Sequence, residues 1–343
     1  MAATATDLET TARELVAEGK GILAADESSP TIKKRFDSIS VESTEDNRRG
    51  YRELLFTTEG IEEFISGVIL YDETLRQSSA DGTPFAKLLA DRGIIPGIKV
   101  DKGAKDLAGA PEEKVTEGLD GLRDRLEEYR ELGARFTKWR AVITIGKGIP
   151  SEYCIWTNAH ALARYAALSQ EAGLVPIVEP EVLMDGDHSI EESYRVTSRT
   201  LQAVFTELYD QRVEREGLLL KTNMVLSGYD ASDQADLDEV AEQTIRCLSN
   251  TVPSAVPGIV FLSGGQSDQD ATARLNEMNK RGPHPWELSF SYGRALQAPA
   301  LKAWRGEEAN VDDAQKAFYR RAKFNGAARS GSYAPEWETA EVA

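Results

Sequence analysis

Lys221 lies inside the apolar segment 217–225, which is too short to span a membrane and has the composition of a buried strand. Lysine is almost never fully buried without a partner. Burial disfavours the charged form of an amine, and a neutral amine can condense with a carbonyl to form a Schiff base. The alternative is a lysine that reaches from a strand end to water, and on this segment alone that alternative is the more common.

Polar side chains also stand near the carboxyl ends of the other apolar runs. Taken singly, each is more often a solvated charge, a helix cap or a tight turn. Their recurrence at almost every strand end favours a shared site, because alternate residues of a strand face the same side. The candidates are Asp26, Ser28, Lys99, Lys138, Arg140, Glu179, Glu181, Ser263, Gly264, Gly265, Ser291, Gly293 and Arg294.

These residue types suit carbonyl chemistry. Lys221 is the predicted nucleophile, and a nearby cation such as Lys138 would favour its neutral form through like-charge repulsion. Glu179 is placed to protonate the carbinolamine hydroxyl so that water can leave. Asp26 is a second carboxylate for the proton of a substrate hydroxyl.

Two anion sites are also expected. Ser263 to Gly265 should offer backbone N–H groups at a helix start, which suits a phosphate, and Arg294 can add a charge-assisted pair of hydrogen bonds. Lys99, with Ser28 and Thr31, could hold a second anion across the cavity.

The composition limits the partners. The 343 residues include 40 basic and 57 acidic side chains, a net charge of −17, which disfavours nucleic acid and anionic membranes. A positive site for an anionic substrate must therefore be local. Two cysteines, no recognisable signal or transit peptide and no apolar run of 18 residues predict a cytoplasmic protein.

Neither a metal nor a nucleotide cofactor is expected. The three histidines are far apart, and CxxC is absent. The sequence Asp-Gly-Asp-His at 185–188 is more simply explained as a turn before a helix. Neither GxGxxG after a strand nor GxxxxGK[ST] occurs.

Eight short apolar runs alternate with amphipathic stretches, a pattern typical of a (β/α)8 barrel, an α/β fold. The active site of such a barrel lies at the carboxyl ends of its strands. We predict one domain over 1–343, with a mobile tail at 331–343. The predicted strands are 21–26, 67–71, 94–100, 136–145, 174–182, 218–226, 258–263 and 287–292. The predicted helices include 116–132, 158–172 and 191–213, with extra N- and C-terminal helices at 7–18 and 311–328.

Seven segments resemble class I fructose-bisphosphate aldolases, and the similarity extends from about Asp7 to Tyr333. The segments are GILAADES at 21–28, GIKVDKG at 97–103, KWR at 138–140, PIVEPE at 176–181, LKTNMV at 220–225, FLSGGQS at 261–267 and FSYGRALQ at 290–297.

The resemblance implies a metal-independent, reversible cleavage of fructose 1,6-bisphosphate to dihydroxyacetone phosphate and glyceraldehyde 3-phosphate, by a homotetramer. It makes Lys221 the Schiff-base lysine and Lys138 its electrostatic partner, with Glu179 and Asp26 as acid–base groups. Glu181 joins these catalytic candidates. The implied 1-phosphate contacts are Ser263, Gly264 and Arg294, those near the 6-phosphate are Ser28, Thr31, Arg35 and Lys99, and Arg140, Gly265, Ser291 and Gly293 complete the substrate contacts.

Two departures from the family pattern and two alternatives remain. Thr31 stands where the family has a serine. The chain does not end in the tyrosine that helps enamine protonation in animal members, and Tyr333 matches an upstream tyrosine. Glu179 or another residue would then carry this proton, or the step would be slower. The alternatives are a Schiff-base aldolase acting on a sedoheptulose or a monophosphate substrate, and a non-catalytic scaffold, which the presence of Lys221 disfavours.

Overall fold

A computed structural model of the chain describes residues 5–339. Ten strands are present in this range, and eight of them are parallel and close into a barrel in the order β1-β10-β9-β8-β7-β6-β3-β2. The predicted α/β barrel and its eight predicted strands are confirmed, with shifted ends. The strands are β1 (Gly21–Ala25), β2 (Ile65–Leu70), β3 (Ile95–Lys99), β4 (Ala104–Leu107), β5 (Ala110–Thr116), β6 (Phe136–Ile143), β7 (Val175–Val182), β8 (Leu219–Thr222), β9 (Gly258–Phe261) and β10 (Glu287–Tyr292).

Helices surround the barrel, and those predicted at the two termini are present. The α-helices are α1 (Ala5–Leu15), α2 (Ser29–Asp37), α3 (Glu45–Thr57), α4 (Asp72–Leu75), α5 (Phe85–Asp91), α6 (Leu122–Glu131), α7 (Glu152–Glu171), α8 (Ile190–Asp210), α9 (Leu237–Thr251), α10 (Asp268–Lys280), α11 (Arg294–Trp304) and α12 (Val311–Arg329). Among residues 5–339, no helix is both long and apolar enough to cross a bilayer.

The helix predicted at 116–132 is wrong in its first part. Thr116 ends β5, which forms an antiparallel hairpin with β4, and α6 begins only at Leu122. The Thr116 hydroxyl donates to the Arg140 carbonyl at 2.7 Å, so the hairpin is fixed to a barrel strand. Gly121, with φ of 63°, then turns the chain into α6, a conformation that costs other residues more.

The amino-terminal end of the barrel is closed by apolar packing. Leu15 and Val16, at and just after the end of α1, belong to a buried cluster with Phe136 inside the barrel. Gly67 and Gly258 leave room for this closure, since a Cβ on them would come within 2.6 Å of Leu15 and Val16, respectively. This packing fills the amino-terminal end of the barrel.

The start of the segment predicted to be mobile makes defined contacts. Tyr333 is buried, and its ring packs near Phe324 and Trp337. Its hydroxyl donates to Glu338 at 2.9 Å. The mobility of 331–343 stays a prediction, and residues 340–343 lie outside the described part of the chain.

Candidate active site

A cavity of about 360 Å³ opens at the carboxyl ends of the barrel strands. Every predicted site residue lines it except Gly265, which lies in the turn beside it. The residues selected from the strand ends therefore share one cavity, and Lys138 with Arg140 and Glu179 with Glu181 all line it, as the alternation along each strand predicted.

Two lysines and two carboxylates form the floor of the cavity. Lys138 Nζ lies 2.7 Å from Asp26 Oδ2 and 3.2 Å from Glu179 Oε2. Lys221 Nζ lies 3.1 Å from the other oxygen of Glu179. All four residues are at most 9% exposed. Glu179 thus sits between the two amines and can exchange a proton with Lys221 directly.

Strand order explains this arrangement. β7 lies between β6 and β8 and supplies Glu179, while β6 supplies Lys138 and β8 supplies Lys221. Arg140 pairs in register with Glu179, and Val178 pairs with Leu220. Lys138 pairs in register with Ile177, two residues before Glu179. Parallel pairing thus brings Lys138, Glu179 and Lys221 together although they are far apart in the chain.

Charge pairing decides the ionisation of the floor. Burial alone would raise the pKa of Asp26 and of Glu179, but Lys138 and Lys221 outweigh it and lower both below their ordinary values. Burial would lower the pKa of Lys138, yet Asp26 and Glu179 raise it. Both carboxylates are therefore ionised and Lys138 is charged at neutral pH. The sequence predicted Lys138 only as a positive charge near Lys221. In the structure, Asp26 and Glu179 also pair with Lys138 and compensate its charge.

Further ion pairs line one wall of the cavity. The Arg140 guanidinium contacts the Glu181 carboxylate, and Lys99 Nζ lies 2.7 Å from Asp101 Oδ1. Asp101 also accepts the backbone N–H of Arg140 at 3.2 Å. Sequence reasoning did not select Asp101, although it lies two residues after Lys99 in the segment 97–103.

Ser28 and Thr31 lie together at the start of α2. Their hydroxyl oxygens are 3.1 Å apart, and Ser28 is the N-cap residue of the helix. Both line the same cavity as Lys99, so the predicted second group of anion contacts shares the site.

The turn after β9 corrects one expectation. α10 begins only at Asp268, so Ser263, Gly264 and Gly265 are not at its first turn. The Gly265 N–H donates to the Ser263 carbonyl at 2.8 Å within the turn. A Cβ on Gly265 would lie 3.2 Å from Arg294 Nη2, so the turn and Arg294 are adjacent as predicted.

The helix that begins at the cavity is α11. Its N-cap is Gly293 and its first residue is Arg294, and both line the cavity. The first N–H groups of a helix attract anions. A phosphate site at a helix start is therefore expected after β10, at Gly293 and Arg294, and not after β9. The sequence had suggested Arg294 only as a charged contact.

Whole-chain comparisons agree with this geometry. Residues 7–343 match the family model for fructose-bisphosphate aldolase class-I. The chain belongs to the class I fructose-bisphosphate aldolases. Members of this glycolytic family are lyases, and class I denotes the use of a lysine Schiff base rather than a metal. Among residues 5–339, no cluster of three or more His, Cys, Asp or Glu side chains is arranged to hold a metal ion.

Curated aldolases from distant organisms are similar over most of the chain. A probable fructose-bisphosphate aldolase class 1 of Xanthomonas campestris pv. campestris is 62% identical, over 95% of this chain and 98% of that protein. Cytosolic fructose-bisphosphate aldolase 4 of Arabidopsis thaliana is 56% identical, over 95% of this chain and 83% of that protein.

A solved aldolase structure has the same architecture. The Plasmodium falciparum fructose-bisphosphate aldolase, crystallised with TRAP and a small-molecule inhibitor, superposes with a TM-score of 0.95 at 51% identity. The match covers 97% of this chain and 98% of the other. The aldolase resemblance inferred from seven short segments therefore extends through the whole barrel.

One further residue of the aldolase site was missed from the sequence. Glu27 lines the cavity and contacts the guanidinium groups of Arg35 and Arg52. Arg35 Nη2 also lies 3.7 Å from the position of a Cβ on Gly293, which places Arg35 beside the start of α11. The only signal for Glu27 was its position next to Asp26 after β1.

Proposed function

We propose that Lys221 forms the Schiff base with C2 of fructose 1,6-bisphosphate, and that Glu179 moves the protons of this step. The observation that carries the proposal is the shared carboxylate: Glu179 lies 3.1 Å from Lys221 and 3.2 Å from Lys138. An amine can attack a carbonyl only after it loses its proton, and Glu179 is an ionised base within reach.

The proton then returns to the substrate. Lys221 Nζ attacks C2, and the carbonyl oxygen takes the proton that the attacking nitrogen loses and becomes the carbinolamine hydroxyl. Protonated Glu179 donates to that hydroxyl, which leaves as water and gives the iminium. Lys138 stabilises the negative charge that develops on the substrate oxygens beside Glu179 and Asp26. Lys138 itself stays positively charged because these two carboxylates pair with it.

Cleavage needs a second base. Asp26 accepts the proton of the C4 hydroxyl, the C3–C4 bond breaks, and its electron pair moves into the iminium to form an enamine. Glyceraldehyde 3-phosphate leaves first. Protonation of the enamine and hydrolysis release dihydroxyacetone phosphate and regenerate the amine. Tyr333 is buried beside α12 and does not line the cavity, so we assign enamine protonation to Glu179. Glu179 regains its proton from Asp26, which took it from the C4 hydroxyl, through Lys138, which contacts both carboxylates.

Cations from two different parts of the cavity lining support a substrate with two phosphates. Arg294, at the start of α11, can bind one of them, together with Ser263 and Gly264. Lys99, with Ser28 and Thr31, can bind the other. Charge-assisted hydrogen bonds of this kind are the strong ones. Clearly unequal kcat/KM values for fructose 1-phosphate and the bisphosphate would support this, and equal values would contradict it.

The Schiff base is tested by trapping. The protein is mixed with dihydroxyacetone phosphate and EDTA, reduced with borohydride, and digested for peptide mass mapping. A reduced adduct on Lys221 supports the proposal. The absence of an adduct on folded protein, or an adduct on Lys138 instead, contradicts it. The Lys221→Arg variant is the control for non-specific labelling.

We also infer a homotetramer in the cytoplasm, on the basis of the family. The chain has a mass of 37.7 kDa, so light scattering should return four times this value. A monomeric mass at micromolar concentration would contradict the tetramer.

A further inference from the structure

Glu27 is a buried carboxylate that the reaction above does not use. Both of its oxygens are bound: Arg52 Nη2 donates to Oε2 at 2.6 Å, and Gln297 Nε2 donates to Oε1 at 2.9 Å. The Arg35 guanidinium contacts Oε1 as well. Helices α2, α3 and α11 thus meet at one side chain that follows β1.

The three partners differ in their access to the cavity. Arg52 and Gln297 are at most 3% exposed, and Arg52 also donates to Gln297 at 3.2 Å. The Arg35 side chain is 23% exposed, and of the three it alone lines the cavity. An anion in the cavity can therefore reach Arg35 but not the other two.

The resemblance implied that Arg35 lies near the 6-phosphate, but the structure places it beside the start of α11, where the other phosphate is expected. Arg35 Nη2 lies 3.7 Å from the position of a Cβ on Gly293, the residue before Arg294. Arg35 could reach a phosphate at the start of α11 through a small change in its side-chain conformation. The guanidinium has a fixed set of donors, so those used on Glu27 are not available to the phosphate.

We propose that Glu27 competes with the substrate phosphate for Arg35, and so limits the affinity of this aldolase for phosphorylated ligands. The inference rests on the proposed function. Glu27 is a positioning residue, because it acts on the ligand through Arg35.

The exchange leaves no buried charge without a partner. When Arg35 turns to a phosphate, Glu27 keeps Arg52 and Gln297. A buried carboxylate that lost all partners would be strongly unfavourable. Burial alone would raise the pKa of Glu27, but Arg52 and Arg35 lower it, so the carboxylate is ionised and attracts Arg35.

The test is Glu27→Gln, which keeps the shape and the hydrogen-bonding oxygen but removes the charge. Inorganic phosphate is the probe, and its dissociation constant is measured by calorimetry and as a competitive inhibitor. We expect phosphate to bind about tenfold more tightly, the value of one charge-assisted contact. KM for the bisphosphate should fall more than kcat. Unchanged or weaker phosphate binding would overturn the inference.

A double-mutant cycle separates competition from a simple change in local charge. In an Arg35→Met background, Glu27→Gln should leave phosphate affinity within about twofold, because the residue through which Glu27 acts is gone. A tenfold gain that persists without Arg35 would mean a through-space effect and would contradict the inference.

Two controls complete the design. Glu73→Gln removes a half-buried carboxylate from its pair with Arg48, away from the cavity, and should not tighten phosphate binding. An equal gain in this variant would overturn the inference. Borohydride trapping of Glu27→Gln should still label Lys221. Trapping with unchanged phosphate affinity would reject the Glu27 inference alone, whereas loss of trapping in the wild type would reject the proposed function.

Discussion

The two ends of the barrel use the same strands but place opposite chemistry in the interior. The amino-terminal end is apolar and closed by α1, and the carboxyl-terminal end holds buried charges around a cavity. On three neighbouring strands an apolar residue stands two positions before a charged one: Phe136 before Lys138, Ile177 before Glu179, and Leu219 before Lys221.

This difference shows how a barrel tolerates four buried charges. The apolar layer is tightly filled: a Cβ on Gly97 would lie 2.4 Å from the Phe136 ring. Each charge above this layer is compensated by a neighbour from another part of the barrel: Lys138 by Asp26 and Glu179, and Lys221 by Glu179. Close packing stabilises the apolar layer at the amino-terminal end, whereas ion pairing stabilises the charged layer at the carboxyl-terminal end. The two layers should therefore respond differently to substitution.

Loss of the nucleophile should have the largest effect on activity and little on packing. Lys221→Met should lower kcat by at least about 10⁴-fold, because no other step of the proposal forms the iminium. Glu179 keeps Lys138 as its partner, so the circular dichroism spectrum should stay the same. A kcat within tenfold of wild type would remove Lys221 from the mechanism.

Loss of the central cation should affect both activity and stability. Lys138→Met leaves Asp26 without its 2.7 Å partner and should lower the free energy of unfolding by about 3–5 kcal/mol. A kcat lower by about 10²–10³-fold is also expected. Urea denaturation and steady-state kinetics check this. Lys87→Met, which removes an exposed pair with Asp91, should change stability by less than about 0.5 kcal/mol.

Overpacking of the apolar layer should reduce stability alone. Gly97→Ala forces a methyl group against Phe136 and should cost about 3 kcal/mol of unfolding free energy, with kcat per folded molecule retained. Gly50→Ala is the matched control, since its Cβ meets nothing within 4 Å in α3. That change should stabilise the protein by about 0.5–1 kcal/mol. Equal stability of both variants would refute the filled layer.

Acid should weaken the charged layer and leave the apolar one unaffected. The folded-state pKa values of Asp26 and Glu179 lie below the ordinary 3.8 and 4.5. Their contribution to stability is therefore complete above the ordinary values and is lost as pH falls below them. In Asp26→Asn the decline below about pH 4 should be shallower, by up to about 1.4 kcal/mol per pH unit. Parallel curves for variant and wild type would contradict this.

Local sequence patterns were sufficient to predict the barrel and most of the residues that line the cavity. Lys221 and Glu179 stand out because charged residues interrupt apolar strands, and parallel strands all end at the same side. The hairpin of β4 and β5 was missed, because the residues before α6 have no strong alternation of their own and are ordered by contacts with β6.

The sequence by itself determined the eight barrel strands, the polar residues at their carboxyl ends and the Schiff-base chemistry that those residues suggest. These follow from strand periodicity and residue type, which are local properties. Only the tertiary structure decided which charges pair. Glu27 meets Arg52 and Gln297 across 25 and 270 residues of chain. Such contacts depend on how helices dock on the barrel, and periodicity in the sequence contains no information about the separation of groups on different helices.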